Sequence, residues 1–195
     1  GWLLDGKTIF SGGVIPAGTY SVTATYEGDD NYEGSTSQGV ALVIERYPTN
    51  TALNSSSNPV FVGDPLYFTA AVSEMQLDVV REKGFVAPTG AVVITDTTGA
   101  INLGGSLADG TIQLLAPPLP AGMYTVTATY LGDERLAPSV STQLIQVVER
   151  QPTSTELMVL PNPALVGQTI RLAAAVSAVN PTALISGGPS GTVEF

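Results

Sequence analysis

The sequence predicts an all-β chain made of antiparallel β-sandwiches in tandem. Three observations carry this prediction. A long internal repeat runs through the chain, apolar residues alternate at period 2 between turn signals, and no segment shows a capped 3.6-residue period. The stretch Glu74 to Lys83 comes nearest to a helical pattern.

The repeat comes first because it sets the size of the unit. Pro16-Ala17-Gly18-Thr19-Tyr20-Ser21-Val22-Thr23-Ala24-Thr25-Tyr26 returns as Pro120-Ala121-Gly122-Met123-Tyr124-Thr125-Val126-Thr127-Ala128-Thr129-Tyr130, an offset of 104. The same offset relates Gly28-Asp29 to Gly132-Asp133, Glu45-Arg46 to Glu149-Arg150, Asn58-Pro59 to Asn162-Pro163, and Ala70-Ala71-Val72-Ser73 to Ala174-Ala175-Val176-Ser177. Further on the register slips by three, so that Thr89-Gly90-Ala91-Val92 faces Ser190-Gly191-Thr192-Val193. A period near 100 residues is too long for a solenoid repeat and suits a whole domain. The expected organisation is a C-terminal half-module over 1–46, a complete module over 47–150 and an N-terminal half-module over 151–195. Each boundary is a short charged linker closed by proline, Pro48 or Pro152, which fixes φ and stiffens the joint.

Within 47–150 the alternation gives about seven strands, near 51–56, 65–73, 90–95, 100–104, 111–116, 122–131 and 139–149. In the second, Leu66, Phe68, Ala70 and Val72 form the apolar face and Tyr67, Thr69, Ala71 and Ser73 the other. In the sixth, Tyr124, Val126, Ala128 and Tyr130 alternate with threonines, β-branched and polar, which suit a solvated sheet face. Asp5-Gly6 and Asp109-Gly110 read as hairpin turns. Seven short strands in about 100 residues is the pattern of an immunoglobulin-like sandwich. Tyr124 stands where a tyrosine corner would sit, and Val126 takes the slot of a disulfide cysteine, with Phe68 placed to face it. Val92 and Ile94 stand where such folds often carry a core Trp.

Composition removes several function classes. Seven Lys and Arg face 17 Asp and Glu, a net charge of -10, and no basic cluster exists to displace counterions from nucleic acid. The absence of Cys and His removes thiolate chemistry, disulfides, the commonest general base and the commonest neutral metal ligand. No apolar run approaches the roughly 20 residues that span a bilayer, so no membrane insertion is expected within this segment. The segment is read as non-catalytic.

The run Ala-Gly-x-Tyr-x-Val-Thr-Ala-Thr-Tyr-x-Gly-Asp, preceded by Thr49, Thr51, Leu53, Asn58-Pro59 and Val62-Gly63, resembles the bacterial Ig-like repeats of long surface and secreted proteins. The resemblance implies tandem modules acting as stalk, spacer or adhesive fibre, an extracellular or cell-surface location, and no catalytic residues. The segment 76–86 departs from the pattern as a charged insertion.

Two readings stand for Asp29-Asp30 and Asp133-Glu134, the paired acids after the sixth strand. Calcium seeks several oxygen ligands, and both pairs are candidates for it. A Gly-Asp turn whose carboxylate caps its own backbone needs only one acid. Two acids in one loop supply too few ligands alone, which favours the turn. Glu45 and Glu149 allow a metal between modules or, more simply, an edge charge that discourages strand pairing. Trp2 and the seven tyrosines offer a sugar platform only if they leave the core, and most fall at core phase or at strand ends.

Two further functions remain open beside the structural one. The insertion loop, or an aromatic face, would bind a glycan or host protein, or the modules would space an extracellular enzyme. Gly1 aligns with Gly105 and Phe195 near Ile94, so each end is expected to present half a module. The expected partners are neighbouring, similar Ig-like modules, either in a longer array or head-to-tail as a filament.

Overall fold

Alternation along 65–73 places one face of a strand inside and the other out, and the computed structural model of the chain follows it. The structure describes residues 3–75, 87–180 and 187–195. The charged insertion at 76–86 and Trp2 lie outside the described residues.

The strands in chain order are β1 (Gly18–Val22), β2 (Thr25–Tyr26), β3 (Ser35–Thr36), β4 (Val40–Ile44), β5 (Thr49–Ser55), β6 (Val60–Phe61), β7 (Tyr67–Glu74) and β8 (Ala91–Asp96). They continue as β9 (Asn102–Ser106), β10 (Thr111–Leu115), β11 (Gly122–Tyr130), β12 (Ser139–Val140), β13 (Leu144–Glu149), β14 (Thr153–Leu160) and β15 (Arg171–Ala178). No helix occurs among the described residues.

Two sheets make the sandwich of 47–150. One has the order β10-β7-β5; the other runs β6-β13-β11-β8-β9, with β12 beside β11. Phe68, Ala70 and Val72 from the first sheet share one core with Val92, Ile94, Val126, Ala128, Tyr130 and Val148 from the second. Phe68 and Val126 are both fully buried there, so packing stands where a disulfide would. The Tyr124 hydroxyl donates to the Pro120 carbonyl at 2.9 Å, closing the corner that the sequence places there. Asp109 and Gly110 adopt φ of 49° and 75°, the left-handed pair of a type I′ turn, and Ala108 bridges Thr111 across it.

Three local features differ from the sequence reading. The strand expected over 139–149 is divided. Thr129 pairs with Val140 while Val126 pairs with Leu144, so three residues on one side oppose two on the other. That is a β-bulge, and the Ser141 hydroxyl accepts the Ala128 N–H at 3.0 Å within it. Second, the sequence reading lacks β6, which runs parallel to the end of β13 through Val148–Val60 and Glu149–Phe61. Glu149 is therefore not on an unpaired edge; its carbonyl accepts the Val62 N–H at 2.8 Å. Third, the fourth strand begins two residues later than expected, because Asp96 turns the chain and accepts the Ile101 N–H at 2.7 Å.

Residues outside 47–150 repeat these pairings. Gly18 pairs with Ile44 and Val22 with Val40, as Gly122 pairs with Val148 and Val126 with Leu144. Thr25 pairs with Thr36, and the Ser37 hydroxyl accepts the Ala24 N–H, so the bulge recurs. β14 pairs with β15 from Thr153–Ala178 to Leu160–Arg171, repeating the register of β5 and β7. Among the described residues, no strand pairing joins 1–46 to 151–195.

Candidate functional site

The acids singled out in the sequence lie in the loop leaving β11 and in its counterpart after β2. Asp133 Oδ1 accepts the N–H groups of Arg135 and Leu136, each at 2.8 Å, which folds the loop into a tight turn. Its Oδ2 accepts from the Thr89 hydroxyl at 2.8 Å and the Thr89 N–H at 3.2 Å. Four donors therefore occupy one carboxylate, and their positive ends point where a cation would have to sit. Asp29 repeats the turn with Asn31 and Tyr32 as donors to Oδ1. Asp30 and Glu134 are exposed. Among the described residues no three acidic side chains converge.

Thr89 is the residue that sequence reasoning missed. It connects the first half of the module to the second, giving two hydrogen bonds to Asp133 and accepting the Tyr130 hydroxyl at 2.7 Å. Its signal is the recurrence of hydroxyl-glycine, Thr89-Gly90 and Ser190-Gly191, despite the slipped register. Gly90 explains the glycine. At φ of 90° its backbone lies against Gly132, and an added Cβ would sit 2.6 Å from the Gly132 carbonyl oxygen.

The electrostatics follow from these contacts. Burial works against ionisation of Asp133, but the donors from Arg135, Thr89 and Leu136 outweigh it and hold the carboxyl at about 2. Burial, with the nearby Asp133 charge, pushes the Tyr130 phenol up to about 12. An ordinary aspartate titrates at 3.8, so the folded state gains from ionised Asp133 above about pH 4 and loses that gain as pH falls through about 2. Asp133→Asn is expected to lower stability at pH 7 by about 1–2 kcal/mol, after allowance for solvent screening. Urea unfolding at pH 7 and pH 2 checks this: the gap between variant and parent should close in acid.

Other candidates resolve into packing or surface. Tyr124 and Tyr130 are buried, while Tyr32, Tyr47 and Tyr67 are exposed on separate elements. An apolar cleft of 160 Å³ between β6 and the Pro117-Pro118 loop falls below the roughly 300 Å³ that small-molecule sites begin at.

The linkers carry their own contacts. The Gln151 side chain donates to the Val62 carbonyl at 3.0 Å and to Asp64 at 3.3 Å, tying the second residue after β13 back to its own module. Tyr47, one period earlier, opens the module instead. Its N–H donates to the Arg135 carbonyl at 2.9 Å and its carbonyl accepts the Ala137 N–H at 2.8 Å. Thr49 and Thr51 continue the contact, both hydroxyls meeting Ser139 at 2.7 Å.

The model for the bacterial Ig-like domain (group 3) matches residues 53–149, the sandwich just described. No curated protein matches the chain. Domains of this family are in general non-catalytic structural modules, and they commonly occur in surface or extracellular proteins. Residues 53–149 are therefore a bacterial Ig-like domain of group 3.

Proposed function

We propose that this chain belongs to a serial array of Ig-like modules that acts as a stalk, spacer or adhesive fibre outside a bacterial cell. In this reading 1–46 is a C-terminal half-module, 47–150 a complete one and 151–195 an N-terminal half-module. The observation that carries it is the double use of one linker position. As Gln151 the position is bonded to the module that ends there, and as Tyr47 it is bonded to the module that begins there. Gln151 is held by its side chain to the module before it and Tyr47 by its backbone to the module after it, and each precedes a proline, so each linker has little free chain on the side of the complete module.

Stiff joints make length additive. A strand of about eight residues spans roughly 26 Å, so each module adds a few nanometres of reach. Small-angle scattering on arrays of two, four and six copies of residues 47–150 is expected to give a maximum dimension rising linearly with copy number. Growth as the square root of copy number would mark freely jointed modules and sink the reading.

A further inference from the structure

Inside the complete module, one strand edge is open in a form that fits itself. At the two ends of the β8–β9 ladder, the Asp96 N–H donates to the Ile101 carbonyl at 3.2 Å and the Leu107 N–H to the Gly90 carbonyl at 2.9 Å. Antiparallel ladders bond at alternate pairs, so Leu103 and Gly105 carry the bonds to β8 in between. Asn102, Gly104 and Ser106 therefore turn their N–H and C=O groups away from β8, and all three are exposed. Among the described residues no strand lies beyond them.

The opposite flank of the sandwich is closed, because the Thr49 and Thr51 hydroxyls on β5 both meet Ser139 on β12. The β9 flank is not. Leu103 and Leu107, with Ile112 and Leu114 on or beside the neighbouring β10, pack against the core yet stay only partly buried. β9 also lacks the usual guards of an edge strand, for it holds no charge, no proline and no bulge. The nearest acids in sequence, Asp96 and Asp109, stand at the turns on either side of it.

We propose that β9 is a contact between copies of this chain, pairing antiparallel with β9 of a second copy about a two-fold axis at Gly104. Gly104 then faces Gly104 of the other copy, and Asn102 faces its Ser106, each pair exchanging both backbone bonds. This register uses every outward residue of both strands. The side chains are self-complementary in it as well. On the solvent face the Asn102 amide meets a serine hydroxyl. On the core face Leu103 comes opposite Gly105, where a Cβ would lie 2.5 Å from Ile112 Cδ1. The leucine of one copy thus covers the part-buried Ile112 of the other. A second copy is the occupant because the fit is symmetric, and because an uncharged strand lets two chains of net charge -10 approach. The contact is isologous, so it closes at the dimer. Paired strands that run in opposite directions carry their chains with them, so the contact joins stalks reaching from facing surfaces.

The pairing involves the complete module alone and does not depend on the array reading. Gly104→Pro removes the central donor but no bond to β8, since that N–H points outward. Gly104→Lys keeps the donor and sets two ammonium groups opposite each other. Its Cβ meets nothing closer than the Val92 carbonyl oxygen at 3.7 Å, so it decides the matter if proline perturbs the fold. Sedimentation velocity of the full chain is expected to show a monomer–dimer equilibrium. Each variant should weaken dimerisation by about 10-fold or more, with the melting temperature of the central module near the parent's. The chain has no cysteine, so Gly104→Cys reports the axis directly, paired Cα atoms about 5.5 Å apart being within disulfide reach. Mild oxidation is expected to dimerise it in much higher yield than Ala52→Cys, which places the thiol on the exposed face of β5. Equal yields would overturn the proposal, as would dimerisation indifferent to both Gly104→Pro and Gly104→Lys. A chain that stays monomeric at about 100 μM, well above the micromolar dissociation constants of ordinary specific contacts, would overturn it too and leave the edge to a strand of another protein. Linear growth of the 47–150 arrays in scattering would stand through any of these failures.

Discussion

Phe68→Ala is expected to destabilise the central module by about 3–5 kcal/mol, while Leu172→Ala, one period later, costs under about 1 kcal/mol in dilute chain. The two residues stand at the same place in the repeat, on β7 and β15. Phe68 is fully buried in the joint core of both sheets, so truncation leaves a cavity as well as losing transfer energy. Leu172 is 42% exposed, and alanine there removes a side chain that already meets water. Urea unfolding of each variant, read as the shift in midpoint at constant slope, separates them. Equal shifts would mean that the second face is covered in the isolated chain.

Gly90→Ala is the second large effect. The φ of 90° is strained for any residue with a Cβ, and that Cβ would lie 2.6 Å from the Gly132 carbonyl oxygen. Neither backbone can give way cheaply. Gly132 is itself at φ of 84°, pinned beside Leu136, and Asp133 next to it holds Thr89. A cost of about 2–4 kcal/mol is expected, which in a module of this size lowers the melting temperature by roughly 10–20 °C. Calorimetry checks it. A shift of only a degree or two would show that Thr89-Gly90 is not the join between the halves.

What could be read from the sequence was local or repeated. Alternation at Leu66-Phe68-Ala70-Val72 and Tyr124-Val126-Ala128-Tyr130 marks the inward faces, since strand geometry sends neighbouring side chains to opposite sides. Asp109-Gly110 and Tyr124 carry their geometry in their own residue types. What escaped is held by long-range partners. β6 is two residues long, and its approach is set by the Asn58 side chain, which bonds Ile145 and Val147 far along the chain. The bulge depends on a serine that looks like any other strand serine until it accepts the Ala128 N–H. Thr89 is marked in the sequence by nothing more than the recurrence of hydroxyl-glycine at Ser190-Gly191, and its importance is visible once Tyr130 and Asp133 are seen on either side of it. The candidate acids were legible as turn formers, but the chemistry of Asp133 depends on that unpredicted donor.

The parallel pairing of β6 with β13 has a mechanical consequence. When the module is pulled from Tyr47 at one end and Gln151 at the other, tension enters β13 along its own axis, while β6 is held back through β5. The ladder bonds between Val148–Glu149 and Val60–Phe61 then lie across the pulling direction and are sheared together. Opened from its edge, the same ladder would yield bond by bond. The Gln151 side chain on Val62 and Asp64 adds a further rung on the same line, beyond the last strand residue. Tension passing through the chain thus meets its resistance at the exit of the module first, before it reaches the buried core.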